Sequence, residues 1–234
     1  MSFLQRLFRN TMHDGTVAPV VNRSSFELLN EDELEAHLGV TSYGHFHLTD
    51  AIRPSYDLQV TPKQGYRHDT YRDEANKSDI PVLMATATKH SLFELFIDLI
   101  AQLGSEVDVV LETSHNKETS GHLDLFREHI DMPILQSILW DYEDLLMNDG
   151  CTGIAVMNPN IPQEVQFDEH KMLIVYGSPL ERFEAVLETN DVFCDDEMKF
   201  ITEAEHVHSS SDVYVRQFNE LKTHLGMDSS VALQ

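Results

Sequence analysis

Short apolar runs alternate with segments of helical periodicity from residue 81 onward, and this alternation limits the folds open to the chain. Residues 81–88 and 107–112 have the apolar character of buried strands. Between them, apolar side chains recur every three or four residues over 92–103, which predicts a helix that ends at Gly104. Strands separated by helices are typical of an α/β or α+β domain in which helices cover a sheet.

A hairpin is predicted from residues 164–168 and 171–176, with its turn at Asp168, Glu169 and His170. Because a hairpin is an antiparallel pair, we expect a mixed sheet of about five to six strands. The other predicted elements are helices at 120–130 and 133–147, a strand at 150–157, a helix beginning near Pro179, a strand at 199–206, and a last helix capped by Ser211 and ended by Gly226.

The first eighty residues have a different texture, with prolines and glycines among scattered apolar residues. We therefore divide the chain into an irregular N-terminal part, 1–80, and an α/β domain, 81–234. One short helix is expected in the first part, because Asn30 and Glu33 have the spacing of a capping box. Residues 1–10 predict a small amphipathic helix that docks onto the domain or onto a second copy of the chain.

Residues 41–77 are the most basic part of the chain and hold four of its seven tyrosines. We interpret this segment as an extended arm that wraps another surface. Clamping within the chain or between subunits is the ordinary role of such an arm, and binding of an anionic ligand is the alternative. The candidate binding residues are Arg53, Tyr66, Arg67, Tyr71 and Arg72.

The charge of the chain is strongly negative, with 40 acidic residues against 16 lysines and arginines and a formal net charge of −24. Such a charge repels phosphate backbones, so nucleic acid is not expected as the main partner. Solubility is the ordinary explanation of the excess, and mimicry of nucleic acid is the rarer one. The two cysteines lack CxxC spacing and favour a reducing, cytoplasmic location, and no apolar run approaches the about 20 residues of a membrane span.

Two HxH doublets occur among the 13 histidines, at residues 45–47 and 206–208. Side chains at i and i+2 of a strand point the same way, so a doublet can offer two nitrogens to one metal ion. His206 and His208 are the better candidate ligands, since Glu203 and Glu205 lie beside them. The ordinary alternative is a pair of surface or capping histidines. The sequence therefore leaves two possibilities open: a divalent metal bound at this doublet, or a protein without a cofactor.

Fingerprints of the common enzyme classes are absent from the sequence. The loop at 112–122 follows a predicted strand, where ligand-binding residues gather in α/β sheets. Glu112 and His115 are its candidate catalytic residues, because a carboxylate and an imidazole can transfer protons. Capping of a helix by the polar residues of this loop is the ordinary alternative.

The cysteines are poor candidate nucleophiles. Cys151 begins an apolar strand, and Cys194 precedes three acids, Asp195, Asp196 and Glu197, that raise the pKa of a neighbouring thiol. The same three acids could bind a hard divalent cation, although their spacing is not that of a calcium loop.

The absence of catalytic fingerprints and the unusual basic arm together favour a non-catalytic protein-binding or adaptor module that self-associates. The alternative is a metal-binding or hydrolytic enzyme that uses the loop at 112–122 with His206 and His208. The first class predicts a protein partner or a homo-oligomer, and the second predicts a bound divalent metal.

Overall fold

The computed structural model describes residues 24–27, 29–73, 78–115 and 123–227. The helices in these residues are α1 (Glu31–Leu38), α2 (Lys89–Ile100), α3 (Met132–Asp141), α4 (Glu143–Asn148), α5 (Glu181–Thr189) and α6 (Asp212–His224). The strands are β1 (Ser42–Tyr43), β2 (Phe46–His47), β3 (Ile52–Pro54), β4 (Gly65–Asp73), β5 (Ser78–Thr86), β6 (Glu106–Thr113), β7 (Leu123–Asp131), β8 (Thr152–Met157), β9 (Glu164–Phe167), β10 (Leu173–Tyr176) and β11 (His206–His208). Short 3-10 turns occupy Ala101–Leu103 and Ile201–Glu203.

Seven strands form the main sheet in the order β4-β5-β10-β9-β8-β6-β7. The predicted class, a sheet covered by helices, is confirmed. The sheet has seven strands where about five to six were expected. Every neighbouring pair in it is antiparallel, where the sequence led us to expect a mixed sheet.

The connections explain why the strand pairs are antiparallel although helices join the strands. β5 and β6 run in the same direction on either side of α2, as a crossover connection requires. They do not meet, because β10, β9 and β8 lie between them and alternate in direction. Similarly, α3 and α4 connect β7 to β8, and β6 lies between those two strands. Antiparallel strands thus fill the gap under each helical crossover.

Two of the predicted elements are wrong. The sequence predicts a helix at 120–130, yet β7 pairs there along β6. Its residues alternate between two cores, with Leu125 in the core under the helices and Phe126 on the other face of the sheet, and this pairing outweighs local helical propensity. The strand predicted at 199–206 is replaced by a 3-10 turn, and strand pairing begins only at His206.

Local sequence signals are confirmed at several element ends. Asn30 and Glu33 form the capping box of α1, and the predicted hairpin is β9–β10. Ser211 caps α6 by accepting from the Tyr214 N–H, and Gly226 follows the helix with a φ of 70°. No helix in the described part of the chain is long and apolar enough to span a bilayer. The helix predicted at residues 1–10 lies outside the described residues.

Helix α2 packs its apolar face onto the sheet and forms the centre of the main core. Leu95, Phe96 and Leu99 on this helix are each 0% exposed. The ring centroid of Phe96 lies 5.1 Å from that of Phe167 on β9. Burying an apolar side chain of this size contributes about 1.5–3 kcal/mol. This contact therefore fixes α2 over the middle of the sheet.

Strand β4 brings part of the basic segment 41–77 into the main sheet. It pairs with β5 along its whole length, so residues on both sides of position 80 share one sheet. The loop after α5 covers the outer edge of β4. There the Tyr66 N–H donates to the Phe193 carbonyl (3.1 Å), and the Asp195 N–H donates to the Tyr66 carbonyl (2.8 Å). Covering an edge strand in this way protects it from pairing with other chains.

Replacing Phe96 by alanine should lower the free energy of unfolding by about 3–5 kcal/mol, because it leaves a cavity between α2 and the sheet. The matched control is Phe193→Ala, since the Phe193 side chain is 60% exposed, and it should change the free energy of unfolding by no more than about 0.5 kcal/mol. Urea unfolding of both variants measures the difference. Equal losses for the two variants would contradict the placement of α2.

Candidate metal centre

A small two-stranded sheet presents the histidines of residues 206–208. β11 pairs antiparallel with β3, with His206 opposite Pro54 and His208 opposite Ile52. Because side chains alternate along a strand, the two histidines lie on one side of β11. Their ring centroids are 5.1 Å apart.

The turn between β9 and β10 supplies a third histidine, His170. Asp168 organises this turn, since its carbonyl accepts from the Lys171 N–H (3.1 Å) and its Oδ1 accepts from the Met172 N–H (2.8 Å). The other carboxylate oxygen, Oδ2, lies 2.9 Å from Nδ1 of His170. Asp168 thus shapes the turn and orients the imidazole that the turn presents.

The three imidazoles converge on one another. The ring centroid of His170 lies 5.0 Å from that of His206 and 4.8 Å from that of His208. One ring nitrogen from each histidine lies within 4.8 Å of the other two. His170 and His206 are half-buried, and His208 is the most exposed of the three, although its Nδ1 faces the protein interior at the Gly150 carbonyl. We call these three residues the histidine cluster.

The Nδ1 atom of each ring in the histidine cluster has a hydrogen-bond partner. Nδ1 of His206 lies 2.8 Å from the Ala204 carbonyl, and Nδ1 of His208 lies 2.6 Å from the Gly150 carbonyl. A carbonyl only accepts, so Nδ1 carries the proton and the lone pair lies on Nε2. His170 has the same arrangement with the Asp168 carboxylate. Histidines that bind metal ions commonly donate their second ring nitrogen in this way.

The surroundings of the three rings shift their pKa values in different directions. Burial lowers the pKa of His206 and of His208, and the neighbouring His170 lowers both further. Burial also opposes a charge on His170, but the Asp168 carboxylate outweighs it, and the pKa of His170 is raised. His206 and His208 are therefore favoured as neutral imidazoles, the form that binds a metal ion.

An open cleft adjoins the histidine cluster. His170 lines it together with apolar side chains, among them Ile52, Leu92 and Phe200. Lys171 and Lys199 also line it, but the ammonium of Lys171 is buried, donates to the Thr152 carbonyl (2.9 Å), and has its pKa lowered by burial to about 8. A small molecule that entered this cleft would lie beside the imidazole of His170.

Glu112 lies outside the clusters of metal-ligand side chains found in the described residues. It is 2% exposed on β6 and accepts from the Gln166 amide (3.4 Å). Burial, followed by the charges of Asp124 and Glu164, raises its pKa well above the usual value. Burial alone raises the pKa of Glu164 to about 8. Burial thus favours the neutral form of both carboxyls, which lie on the sheet face opposite the main core.

His115, the other candidate of the loop at 112–122, belongs to a second cluster with Asp149 and Cys151. Its Nε2 lies 2.9 Å from Oδ2 of Asp149, and its Nδ1 lies 2.8 Å from the hydroxyl of Thr113. Burial raises the pKa of the Cys151 thiol, which disfavours the thiolate that a nucleophile would need. Residues 116–122 of the loop lie outside the described residues.

Arg53 and Arg67, two of the candidate binding residues, are engaged within the chain. Arg53 is 4% exposed, and its guanidinium donates to three backbone carbonyls, those of Leu38, Thr49 and Ile52. Arg67 donates to the Met198 carbonyl (2.8 Å) and pairs with Glu203 (2.5 Å). Arg67 thus holds β4 against the chain that follows α5, whereas Arg53 stabilises the N-terminal part itself.

The other three candidate binding residues lie along β4. Tyr66 is 2% exposed, with its hydroxyl 3.3 Å from Glu188. The ring of Tyr71 meets that of Tyr176 edge to face, and the exposed Arg72 lies 3.4 Å from Asp79. These contacts also lie within the chain, and the self-associating adaptor stays a prediction.

The HxH pattern of the sequence indicates two members of the histidine cluster and gives no indication of the third. His170 appeared only as a turn residue, because no spacing connects a hairpin turn with a strand that follows a further helix. The one local signal was the neighbouring Asp168, a carboxylate two residues away that can orient an imidazole. The cluster becomes visible only when the main sheet and the small sheet meet.

Comparison with known proteins identifies no relative: no family model, no curated protein and no solved structure matches this chain. A functional proposal for this chain therefore depends on the geometry of its own side chains.

Replacing Glu164 by glutamine should remove a pH dependence of stability. The pKa of Glu164 is about 8 in the folded chain and near the ordinary glutamate value when unfolded, so the folded state holds the extra proton and the wild type loses stability as pH rises between those values. The free energy of unfolding of the variant should equal that of the wild type at about pH 5. At about pH 9 it should be larger than that of the wild type by on the order of a few kcal/mol. Urea unfolding at both pH values measures this, and an equal difference at both would contradict a buried, neutral Glu164.

Proposed function

We propose that this protein binds a divalent transition-metal ion through His170, His206 and His208. The proposal depends on one observation, the convergence of three imidazoles whose Nδ1 atoms are each hydrogen-bonded. Imidazole nitrogen suits zinc, copper, nickel and iron, and it binds zinc at about 2.0–2.1 Å. Small rotations of rings with centroids 4.8–5.1 Å apart would bring three nitrogens to such an ion.

Surface or capping histidines would not require this arrangement. A capping histidine needs one hydrogen bond, whereas here three rings from two sheets have their Nε2 atoms free to bind a common ligand. Without a ligand, protonation of more than one ring would place positive charges about 5 Å apart, which is unfavourable. A metal ion shared by neutral imidazoles avoids that repulsion.

Three protein ligands leave a fourth position, as in catalytic zinc sites. The cleft beside His170 would give a small molecule access to that position. A bound ion can polarise a carbonyl or phosphoryl oxygen or lower the pKa of a water molecule. The exposed Lys199 at the cleft would favour a ligand with negative charge. This arrangement supports the hydrolytic alternative, with the histidine cluster in place of the loop at 112–122.

Replacing His206 by alanine should lower the affinity for Zn²⁺ by at least about 100-fold, because it removes a direct ligand and not an outer partner. Isothermal titration of Zn²⁺ into protein without a histidine tag, in a Cys194→Ser background that prevents binding through this thiol, measures the affinity. The matched control is His45→Ala, which changes an exposed histidine of the other HxH doublet. Mg²⁺ should not compete, since it prefers oxygen ligands. Equal affinities for the wild type and the His206 variant would overturn the proposal.

Replacing Asp168 by asparagine should lower the Zn²⁺ affinity by about 10-fold to 100-fold. Asparagine offers one acceptor oxygen where the carboxylate uses two, one for the His170 ring and one for the Met172 N–H. The same titration measures the change, and Tm without metal reports any general damage to the hairpin. An unchanged affinity would mean that Asp168 does not orient His170.

A further inference from the structure

A second set of metal-ligand side chains lies at the outer edge of the main sheet and shares no residue with the histidine cluster. It consists of His68 on β4 and of Cys194 and Asp196 in the loop that covers this edge. Hydrogen bonds fix the loop against the strand: Cys194 forms a parallel bridge with Tyr66, and the His68 N–H donates to Oδ1 of Asp196 (3.1 Å). The backbone thus holds the three side chains in register before any ligand binds.

The three donor atoms lie close together. Nδ1 of His68 is 3.1 Å from Oδ1 of Asp196 and 3.7 Å from Sγ of Cys194. The third separation, from Sγ of Cys194 to Oδ1 of Asp196, is 3.5 Å. The set therefore forms a small triangle of one nitrogen, one sulfur and one oxygen.

This triangle has the dimensions of a zinc coordination sphere. Zinc binds nitrogen, oxygen and sulfur at about 2.0–2.3 Å and prefers tetrahedral geometry, which places its ligand atoms about 3.4–3.6 Å from one another. The observed separations of 3.1, 3.5 and 3.7 Å fall around that range. We propose that His68, Cys194 and Asp196 form a second metal site, of zinc type, with a fourth position open to solvent.

Glu184 on α5 completes the arrangement from the far side of the imidazole. Its Oε1 lies 2.8 Å from Nε2 of His68, the nitrogen that the triangle does not use. In the metal-free chain both ring nitrogens face carboxylates, and the hydrogen bonds to Glu184 and then Asp196 raise the pKa of His68. A bound ion would replace the Nδ1 proton, which is released to solvent, while Glu184 keeps the proton on Nε2 and holds the ring in place. Glu184 is thus a positioning residue and not a ligand.

A metal ion at this triangle would join three elements: strand β4, helix α5 through Glu184, and the loop between α5 and the last 3-10 turn. When the ion binds, the thiol of Cys194 loses its proton to solvent and the sulfur binds as a thiolate. Burial and the carboxylates of Asp196, Glu184 and Asp195 raise the pKa of the Cys194 thiol, so the bound ion itself must stabilise the thiolate, and the same carboxylates attract the cation. The expected role is structural, because the ion would fasten the loop over the sheet edge.

Cobalt distinguishes this second site from the histidine cluster. Co²⁺ occupies zinc-type sites, and a thiolate ligand gives it a strong charge-transfer absorption in the near ultraviolet that imidazole ligands do not give. The histidine cluster has no cysteine, so titration of the untagged full chain with Co²⁺ should show this absorption only if a thiol binds. We expect the absorption in the wild type and its loss in Cys194→Ser.

Two control variants separate the possible outcomes. Cys151→Ser should keep the absorption, and its loss there would assign the cobalt to the cluster of His115, Asp149 and Cys151 and overturn the proposal. His206→Ala should also keep it, whatever happens at the histidine cluster, so the two metal proposals fail independently. The absence of thiolate absorption in the wild type, or its persistence in Cys194→Ser, would equally overturn the second site.

Glu184→Gln tests the positioning role. Glutamine can present an amide donor where the His68 Nε2–H needs an acceptor, and we expect the Co²⁺ affinity at the thiolate site to fall by about 10-fold to 100-fold. The thiolate absorption at saturation should keep its position, because no ligand is lost. A shift of that absorption at saturating Co²⁺ would mean that Glu184 is itself a ligand.

Discussion

Backbone hydrogen bonding between strands that lie far apart in the sequence organises this molecule. β6 pairs with β7, the next strand in the chain, and with β8, which follows two helices later. β5 pairs with β10, and the crossover through α2 passes over strands that enter the sheet afterwards. Loop closure over such distances is entropically costly, and the core under α2 offsets that cost. Both candidate metal sites depend on this strand pairing, because the pairing brings together the residues of each site.

The histidine cluster lies where the main sheet meets the small sheet of β3 and β11. His170 extends from a turn of the main sheet, and His206 and His208 extend from the small sheet. Close backbone packing at Gly150 connects the two, since a Cβ atom there would lie 2.3 Å from the Ala51 carbonyl. The Gly150 carbonyl also accepts from His208. Gly150 thus allows the close backbone contact with Ala51, and its carbonyl also orients the His208 ring.

Charge is distributed in a way that the net value of −24 does not reveal. Two glutamates are buried on one face of the sheet, where burial raises the pKa of each, and Arg53 is buried where it donates to backbone carbonyls. Most of the acid excess is left at the surface, where solvent screens it. In both candidate metal sites a carboxylate orients a histidine, so acidic residues act there as hydrogen-bond acceptors for imidazole as well as solubilising charges.

Local patterns in the sequence determined the layered class, helix α2, the β9–β10 hairpin and the caps of α1 and α6, because each depends on neighbouring residues. The sequence also placed His206 and His208 on one side of a strand, since that follows from the two-residue period alone. Tertiary structure decided that 123–131 is a strand, because its pairing with β6 outweighs local preference. It also decided that His170 joins the doublet and that His68 meets Cys194 and Asp196. These contacts depend on strand order and register, and both are set by the burial and hydrogen bonding of the whole sheet.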